Sequence, residues 1–278
     1  MFFPFWFDWT WLLLIPAFIV TIWAQAKVSS TYKKYSQIPA PVSYTHLDVY
    51  KRQMQIGCDP KADSTQNVSG GKPIATVLDV LREKGDGAAL EDIVTEGYHG
   101  ILCVEAGGPT PGIGCAGRGI ITAFEKLEEL HAYEIYKPDI VLYDVLGDVV
   151  CGGFAMPIRG GYADQVFVVT SGEKMALYAA ANIALAIENF KNRGYAAFGG
   201  VILNARNVER ETELVEEFAR EAHSGIVKTI PRSSFVQRAE QQHKTVVEAY
   251  PESDMAREYM ELADCVLAVC NTEVRKNA

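Results

Sequence analysis

The chain has 278 residues, of which 49% are hydrophobic and 22% charged, values typical of a globular protein with one sizeable core. Its net charge of −9 argues against nucleic acid as a main partner, because nucleic-acid binding needs a basic face. The six cysteines contain no Cys-x-x-Cys pair and no cleavable secretory signal is recognisable, which argues against a zinc-finger-type site and against a disulfide framework.

The first forty residues differ from the rest of the chain. Residues 1–24 are almost wholly apolar, approach the ~20-residue length of a membrane span, and are followed by Lys27, Lys33 and Lys34, as expected on a cytoplasmic side. We predict an N-terminal hydrophobic helix within residues 1–40, acting as an uncleaved membrane anchor. This stretch resembles the start of a membrane zinc metallopeptidase family, but without His-Glu-x-x-His no protease activity is implied.

Residues 41–53 show neither helical nor strand periodicity. They resemble a translated sequencing adapter, so we interpret the chain as two unrelated fragments joined at about residue 53. The alternative is a genuine linker between an anchor and a domain formed by residues 54–278.

From Met54 onward, short apolar runs alternate with helical patterns. Strands are predicted at Met54–Gly57, Gly100–Glu105, Asp139–Tyr143, Gln165–Thr170, Phe198–Asn204 and Gly225–Ile230. Helices are predicted at Ile74–Lys84, Gly117–Ala132, Glu173–Arg193, Val208–His223 and Asp254–Cys270. This alternation predicts an α/β fold, one domain with a mostly parallel sheet and helices on both faces.

Two cysteines lie in glycine-rich segments that follow predicted strands, at the edge where such sheets bind ligands. Cys115 stands in 112–119 and Cys151 in 144–154, and flanking glycines let backbone amides approach a bulky anion. Thiolates in such loops suit an iron–sulfur cluster, and two copies of the chain would together supply four. The other four cysteines occur in or beside apolar runs and are predicted to be small buried residues: Cys58, Cys103, Cys265 and Cys270.

From about Met54 to about Cys270 the chain resembles the nitrogenase iron protein family, through residues 57–65, the two cysteine segments and Pro231-Arg232. The resemblance implies a P-loop NTPase fold and a cytoplasmic homodimer that binds MgATP and holds one [4Fe-4S] cluster through Cys115 and Cys151. It further implies an oxidoreductase of nitrogen fixation, which takes electrons from ferredoxin or flavodoxin and passes them to a dinitrogenase component.

The first candidate nucleotide segment follows the Met54 strand. Asp59 and Asp63 are spaced to address a magnesium ion and a water near a γ-phosphate, with Lys61 between them. The alternative is an Asp-Pro turn followed by a helix cap. The resemblance makes this segment the first switch region, with Asp59 catalytic and Lys61 and Asp63 at the nucleotide.

A second candidate segment begins at Asp144, at the end of a buried strand where an aspartate can hold magnesium. The alternative is a capped strand end. The resemblance places Asp144, the catalytic Asp148 and Cys151 in the second switch region. It also makes Arg118 a docking residue that can be ADP-ribosylated, whereas without the resemblance Arg118 is an ordinary solubilising residue.

The resemblance assigns the adenine contacts to Asn204 and to a second loop with Pro231, Arg232 and Gln237. Two positions depart from the family pattern: Ala205 stands where serine is frequent, and Ser233 where aspartate is frequent.

The phosphate-binding motif Gly-x-x-x-x-Gly-Lys-[Ser/Thr] does not occur in the sequence, and 70–73, Gly-Gly-Lys-Pro, does not replace it. We therefore expect the first strand and phosphate loop of the fold to be missing, sheet hydrogen bonds to be left unpaired, and ATPase activity to be slight or absent. Two alternative functions remain: an iron-protein-like reductase of tetrapyrrole biosynthesis, and a membrane-anchored binding protein that hydrolyses nothing.

Overall fold

The computed structural model describes residues 18–23, 52–108, 116–147, 160–190 and 196–277, and at 18–23, 116, 118, 190 and 271–277 it describes the backbone alone. These residues form one eight-stranded sheet in the order β3-β4-β2-β5-β1-β6-β7-β8. The strands are β1 Phe18–Trp23, β2 Gln53–Gly57, β3 Thr95–Glu96, β4 Leu102–Glu105, β5 Ile140–Leu146, β6 Gln165–Thr170, β7 Ala197–Asn204 and β8 Ile226–Ile230.

Most of the sheet is parallel, which confirms the predicted α/β fold. Strand β2 pairs in parallel with β4 and β5, and β7 pairs in parallel with β6 and β8. The short β3 is antiparallel to β4 at one edge. Because parallel strands all end on the same side, the residues after β2, β4, β5, β6, β7 and β8 share one carboxyl edge.

Strand β1 corrects the prediction of an N-terminal helix for residues 18–23. It lies between β5 and β6 and runs antiparallel to both, with Phe18 opposite Leu146 and Trp23 opposite Val141. Its sequence includes Ile19, Val20, Thr21 and Ile22, β-branched types that favour extended backbone. The place expected to lack a strand is therefore filled, and the facing backbone groups of β5 and β6 have ladder partners.

The rest of the predicted anchor, residues 1–17 and 24–40, lies outside the described residues. No helix within the described part of the chain is long and apolar enough to cross a membrane.

Helices cover both faces of the sheet. They are α1 Val77–Lys84, α2 Leu90–Ile93, α3 Ala116–Glu129, α4 Ala132–Tyr136, α5 Lys174–Phe190, α6 Glu211–Glu221, α7 Ser234–Glu240, α8 Val246–Ala249 and α9 Asp254–Asn277. Alternate residues of a strand enter two separate cores: Val166 and Val168 belong to one, and Phe167 between them belongs to the other. This two-sided burial explains the continuous apolar runs of the central strands.

Several element boundaries differ from the predicted ones. Helix α1 begins at Val77 rather than Ile74, because the Thr76 hydroxyl accepts a hydrogen bond from the Asp79 amide and caps the helix there. The short elements β3, α2, α4, α7 and α8 were not predicted, since segments of two to seven residues carry too little periodicity. The cysteine prediction holds at Cys58, Cys103 and Cys270, which are buried, whereas Cys265 is half-buried.

Candidate functional site

The segment after β2 folds as a tight turn. The Asp59 carboxylate accepts a hydrogen bond from the Lys61 amide at 2.8 Å, and the Ala62 amide donates to the Asp59 carbonyl at 3.0 Å. Ala62 has a left-handed backbone, with φ of 54°. The Asp-Pro turn of the alternative interpretation is thus present, and it leaves the side chains of Lys61 and Asp63 exposed at the carboxyl edge.

A hydrogen bond joins this turn to the end of β5. The Ser64 hydroxyl donates to Asp144 Oδ2 at 2.6 Å, and Gln55 Nε2 donates to Ser64 Oγ at 2.9 Å. The Cys58 amide donates to the Asp144 carbonyl at 2.9 Å. Two motifs that are 80 residues apart in sequence therefore meet at one point of the sheet edge.

The electrostatics of this point favour a cation. Burial raises the pKa of Asp144, the negative charges of Asp63 and Asp59 raise it further, and the hydrogen bond from Ser64 opposes them. No three histidine, cysteine or acidic side chains in the described residues are close enough to hold a metal ion together. Magnesium usually takes only one or two carboxylates, with water and phosphate completing its shell, so these oxygens fit that ion.

A buried carboxyl group that the sequence analysis missed lies beside these residues. Glu105, the last residue of β4, is fully buried. Its Oε1 accepts hydrogen bonds from the Thr65 amide and the Thr65 hydroxyl, both at 2.7 Å. Its Oε2 is buried and has no hydrogen-bond partner among the described residues. Burial is the largest influence on this group and raises the pKa of Glu105 to about 7.

Gly57 makes room for this carboxyl group. A Cβ at position 57 would lie 1.9 Å from Glu105 Oε2 and 2.7 Å from the Ser64 Cβ, so only glycine lets the two segments approach. The sequence signal for Glu105 existed: it ends an apolar run at the carboxyl edge, as Asp144 does.

The predicted adenine-side residues also come together. Asn204 ends β7 and lies opposite Ile230 of β8, which Pro231 and Arg232 follow. The Ala205 amide donates to the Ile230 carbonyl at 2.9 Å. Gln237 is exposed on α7, a helix capped by the Ser233 hydroxyl, which accepts from the Phe235 amide. These segments lie on the far side of β1 and β6 from Asp144.

Four predicted site residues have no described side chain. Cys115, Asp148 and Cys151 lie outside the described residues. Arg118 lies in α3, but its side chain is outside what the structure describes. Their roles, like those of the other predicted site residues, stay predictions.

Solved structures similar to this one include ATPases of cell division. The MinD cell division ATPase of Pyrococcus furiosus aligns over 81% of this chain and 92% of its own length, with 18% identity and a TM-score of 0.59. MinD from Pyrococcus horikoshii OT3, solved with Mg-ADP, aligns over 79% and 85%, with 21% identity and a TM-score of 0.56. The MinC:MinD complex of Aquifex aeolicus contains a chain that aligns over 80% and 87%, with 14% identity and a TM-score of 0.57. At these identities the likeness shows the fold alone.

A family model that matches most of the chain shows which sequence family it belongs to. The family model described as "4Fe-4S iron sulfur cluster binding proteins, NifH/frxC family" matches residues 38–276, most of the chain, and begins before the Met54 boundary expected from the motifs. The chain belongs to the NifH/frxC family of 4Fe-4S iron–sulfur cluster-binding proteins.

Proposed function

We propose that this chain is an iron-protein-type reductase, which carries electrons on a [4Fe-4S] cluster to the catalytic component of a nitrogenase. The observation that carries the proposal is the 2.6 Å hydrogen bond from Ser64 to Asp144. It joins the Asp59–Thr65 turn to Asp144, which lies in β5 seven residues before Cys151, so a change at the turn can be passed toward the cluster segment.

The metal end of a nucleotide site fits these residues. Asp59, Asp63 and Asp144 bring negative charge together at the carboxyl edge, and a magnesium ion would relieve their mutual repulsion. Asn204 and the Pro231-Arg232 loop would face the base of the same nucleotide. This arrangement supports MgATP as the ligand, and the similar MinD of Pyrococcus horikoshii OT3 was solved with the related nucleotide Mg-ADP.

The sequence lacks the residues that would bind the phosphates of the nucleotide. The lysine and the glycine-rich amides that stabilise transferring phosphoryl oxygens are absent from the sequence. We therefore derive no hydrolysis step, and we expect ATPase activity of this chain to be slight or absent, as an iron protein without its phosphate loop.

The cluster would be shared by two copies, each supplying Cys115 and Cys151. When bound, it supplies one-electron transfer at low potential. Arg118, three residues beyond Cys115, would then stand on the surface that meets the catalytic component.

The cluster proposal is tested by anaerobic reconstitution of the purified chain with iron and sulfide. We expect four iron atoms per two chains and a paramagnetic signal on reduction. Cys115→Ala and Cys151→Ala should each lose the bound iron, while Cys265→Ala, a half-buried free cysteine, should retain it. A full cluster in Cys115→Ala or Cys151→Ala would refute the ligand assignment.

The nucleotide and partner proposals are tested separately. We expect weak MgADP binding by calorimetry and no ATP turnover, and tight MgATP binding or turnover would contradict the missing phosphate site. Cross-linking of the reconstituted chain to a dinitrogenase component should succeed and should weaken in Arg118→Glu. Cross-linking to a tetrapyrrole-reducing component instead would replace the proposed partner.

A further inference from the structure

A second buried glutamate lies on the other half of the carboxyl edge. Glu211, the first residue of α6, is 7% exposed. Its Oε1 accepts from the Gly172 amide at 3.0 Å, both oxygens accept from the Arg206 amide at 3.0 Å, and Oε2 accepts from the Asn207 amide at 3.0 Å. A buried carboxylate with three backbone amide donors is well satisfied, and hydrogen bonds to a charged group are stronger than neutral ones.

These three amides belong to loops after two neighbouring strands. Gly172 lies two residues beyond the end of β6, and Arg206 and Asn207 lie two and three residues beyond Asn204, the end of β7. A Cβ at position 172 would lie 2.8 Å from Glu211 Cγ and 2.9 Å from its Cα, so this approach requires glycine. Glu211 therefore ties the two loops to the start of α6.

The tied loop contains a buried donor that no acceptor satisfies among the described residues. Arg206 Nε is buried and has no hydrogen-bond acceptor among the described residues. A buried guanidinium nitrogen without an acceptor is costly unless a ligand supplies one. It stands two residues from Asn204, on the side of the sheet where the base of a nucleotide would bind.

We propose that Glu211 is a positioning residue that fixes the loops after β6 and β7 and so holds Arg206 ready for an acceptor atom on the purine of the nucleotide. This rests on the proposed nucleotide site and deepens it. The Glu211 carboxylate accepts hydrogen bonds from the backbone amides and so fixes the loop. The fixed loop holds the Arg206 side chain in place, and Arg206 Nε donates to the base.

The experiment compares Glu211→Gln with Glu213→Gln, an exposed glutamate of the same helix that pairs with Arg210. Hydrogen exchange is measured at the amides of Gly172, Arg206 and Asn207, and MgADP and MgGDP affinities are measured by calorimetry. In Glu211→Gln we expect about tenfold faster exchange at all three amides, about tenfold weaker MgADP binding and a smaller preference for MgADP over MgGDP. Glu213→Gln should change none of these.

A second variant acts on the same contact from the opposite side. Gly172→Ala should displace the Glu211 carboxylate and reproduce the exchange and affinity changes, while exchange in β8 reports whether the fold is intact. Unchanged exchange at the three amides in Glu211→Gln would overturn the claim that Glu211 fixes the two loops, even with MgADP binding intact. Faster exchange with an unchanged MgADP to MgGDP preference would overturn the positioning role. Absence of MgADP binding in the unmodified chain would overturn the positioning role and the nucleotide proposal together. The exchange result would still decide whether Glu211 fixes the two loops.

Discussion

The two halves of the carboxyl edge each bury a glutamate, and they treat it differently. Glu211, beside β6 and β7, has both oxygens bonded to backbone amides. Glu105, beside β2 and β4, has one oxygen bonded to Thr65 and the other without a partner among the described residues. A satisfied carboxylate holds loops in place, whereas a half-satisfied one responds to protons and to neighbouring charge. We call the part of the edge beside β6 and β7 the base side and the part beside β2 and β4 the metal side. We infer that the base side has a fixed conformation and that the metal side changes its protonation and conformation.

The largest expected effect concerns β1, which joins the two halves. Thr21→Pro removes a backbone donor in a strand that pairs on both sides, and we expect a loss of more than about 3 kcal/mol of unfolding free energy. Urea denaturation measures it. Thr95→Pro, in the edge strand β3, is the matched control and should cost much less. Equal, small costs would mean that β1 does not hold the halves together.

The pH dependence of Glu105 sharpens the comparison. Its folded pKa of about 7 lies above its ordinary value of 4.5, so its neutral form contributes stability that is complete below about pH 4.5 and is lost as pH rises through about 7. The shift corresponds to about 3 kcal/mol, as an order of magnitude. Unfolding free energy measured from pH 4.5 to 8 should show this fall.

Glu105→Gln should flatten that profile, because the amide oxygen can still accept from Thr65 and the group no longer titrates. Glu83→Gln, an exposed change on α1, should leave the profile as it is. A Glu105→Gln profile as steep as that of the unmodified chain would assign the pH dependence to another group.

Gly57→Ala tests how closely the metal side is packed. The new methyl group would meet Glu105 Oε2 and the Ser64 side chain, and we expect a cost of about 2 kcal/mol. Gly87→Ala, where a Cβ meets nothing within 4 Å, is the control. If the contact with Glu105 is the cause, Glu105→Ala should reduce the cost of Gly57→Ala in a double-mutant cycle. Additive costs would place the strain elsewhere.

The smallest expected effect is an ion pair on the base side. Lys228 of β8 bonds Glu258 at 2.7 Å and Glu261 at 2.5 Å on α9, and both hydrogen bonds raise the pKa of Lys228. Lys228→Met should cost roughly 1 kcal/mol at low salt and less at high salt, in thermal or urea denaturation. Arg210→Met, which breaks a fully exposed pair with Glu213, should cost nothing measurable. A cost independent of salt would point to lost packing of the Lys228 stem instead.

Much of the fold and part of the site could be read from the sequence. Short apolar runs indicate buried strands, so the strand ends near Asp144 and at Asn204 were predictable. Parallel strands share one carboxyl edge, so these ends were expected on the same side of the sheet. The contacts between the motifs were not predictable. Ser64 meets Asp144, and Thr65 meets Glu105, because β2 lies between β4 and β5, and strand order leaves no trace in a linear pattern.

The residues that were missed carried weak or ambiguous signals. Glu211 is one of several acidic residues around the start of a charged amphipathic helix, and nothing in the sequence marks it as buried. A run such as 18–23, in which every residue but Thr21 is apolar, has no period that separates a helix from a strand, so pairing partners decided its form.

The direction of β1 sets a rule for anyone who would rebuild the phosphate site. Trp23 lies opposite Val141, near the start of β5, so the chain leaves β1 at the edge opposite the carboxylates. A glycine-rich loop inserted after Trp23 would emerge on the wrong side of the protein, far from Asp144. Restoring a phosphate-binding loop next to Asp144 therefore requires a strand that runs in the opposite direction between β5 and β6. Grafting the loop alone cannot succeed.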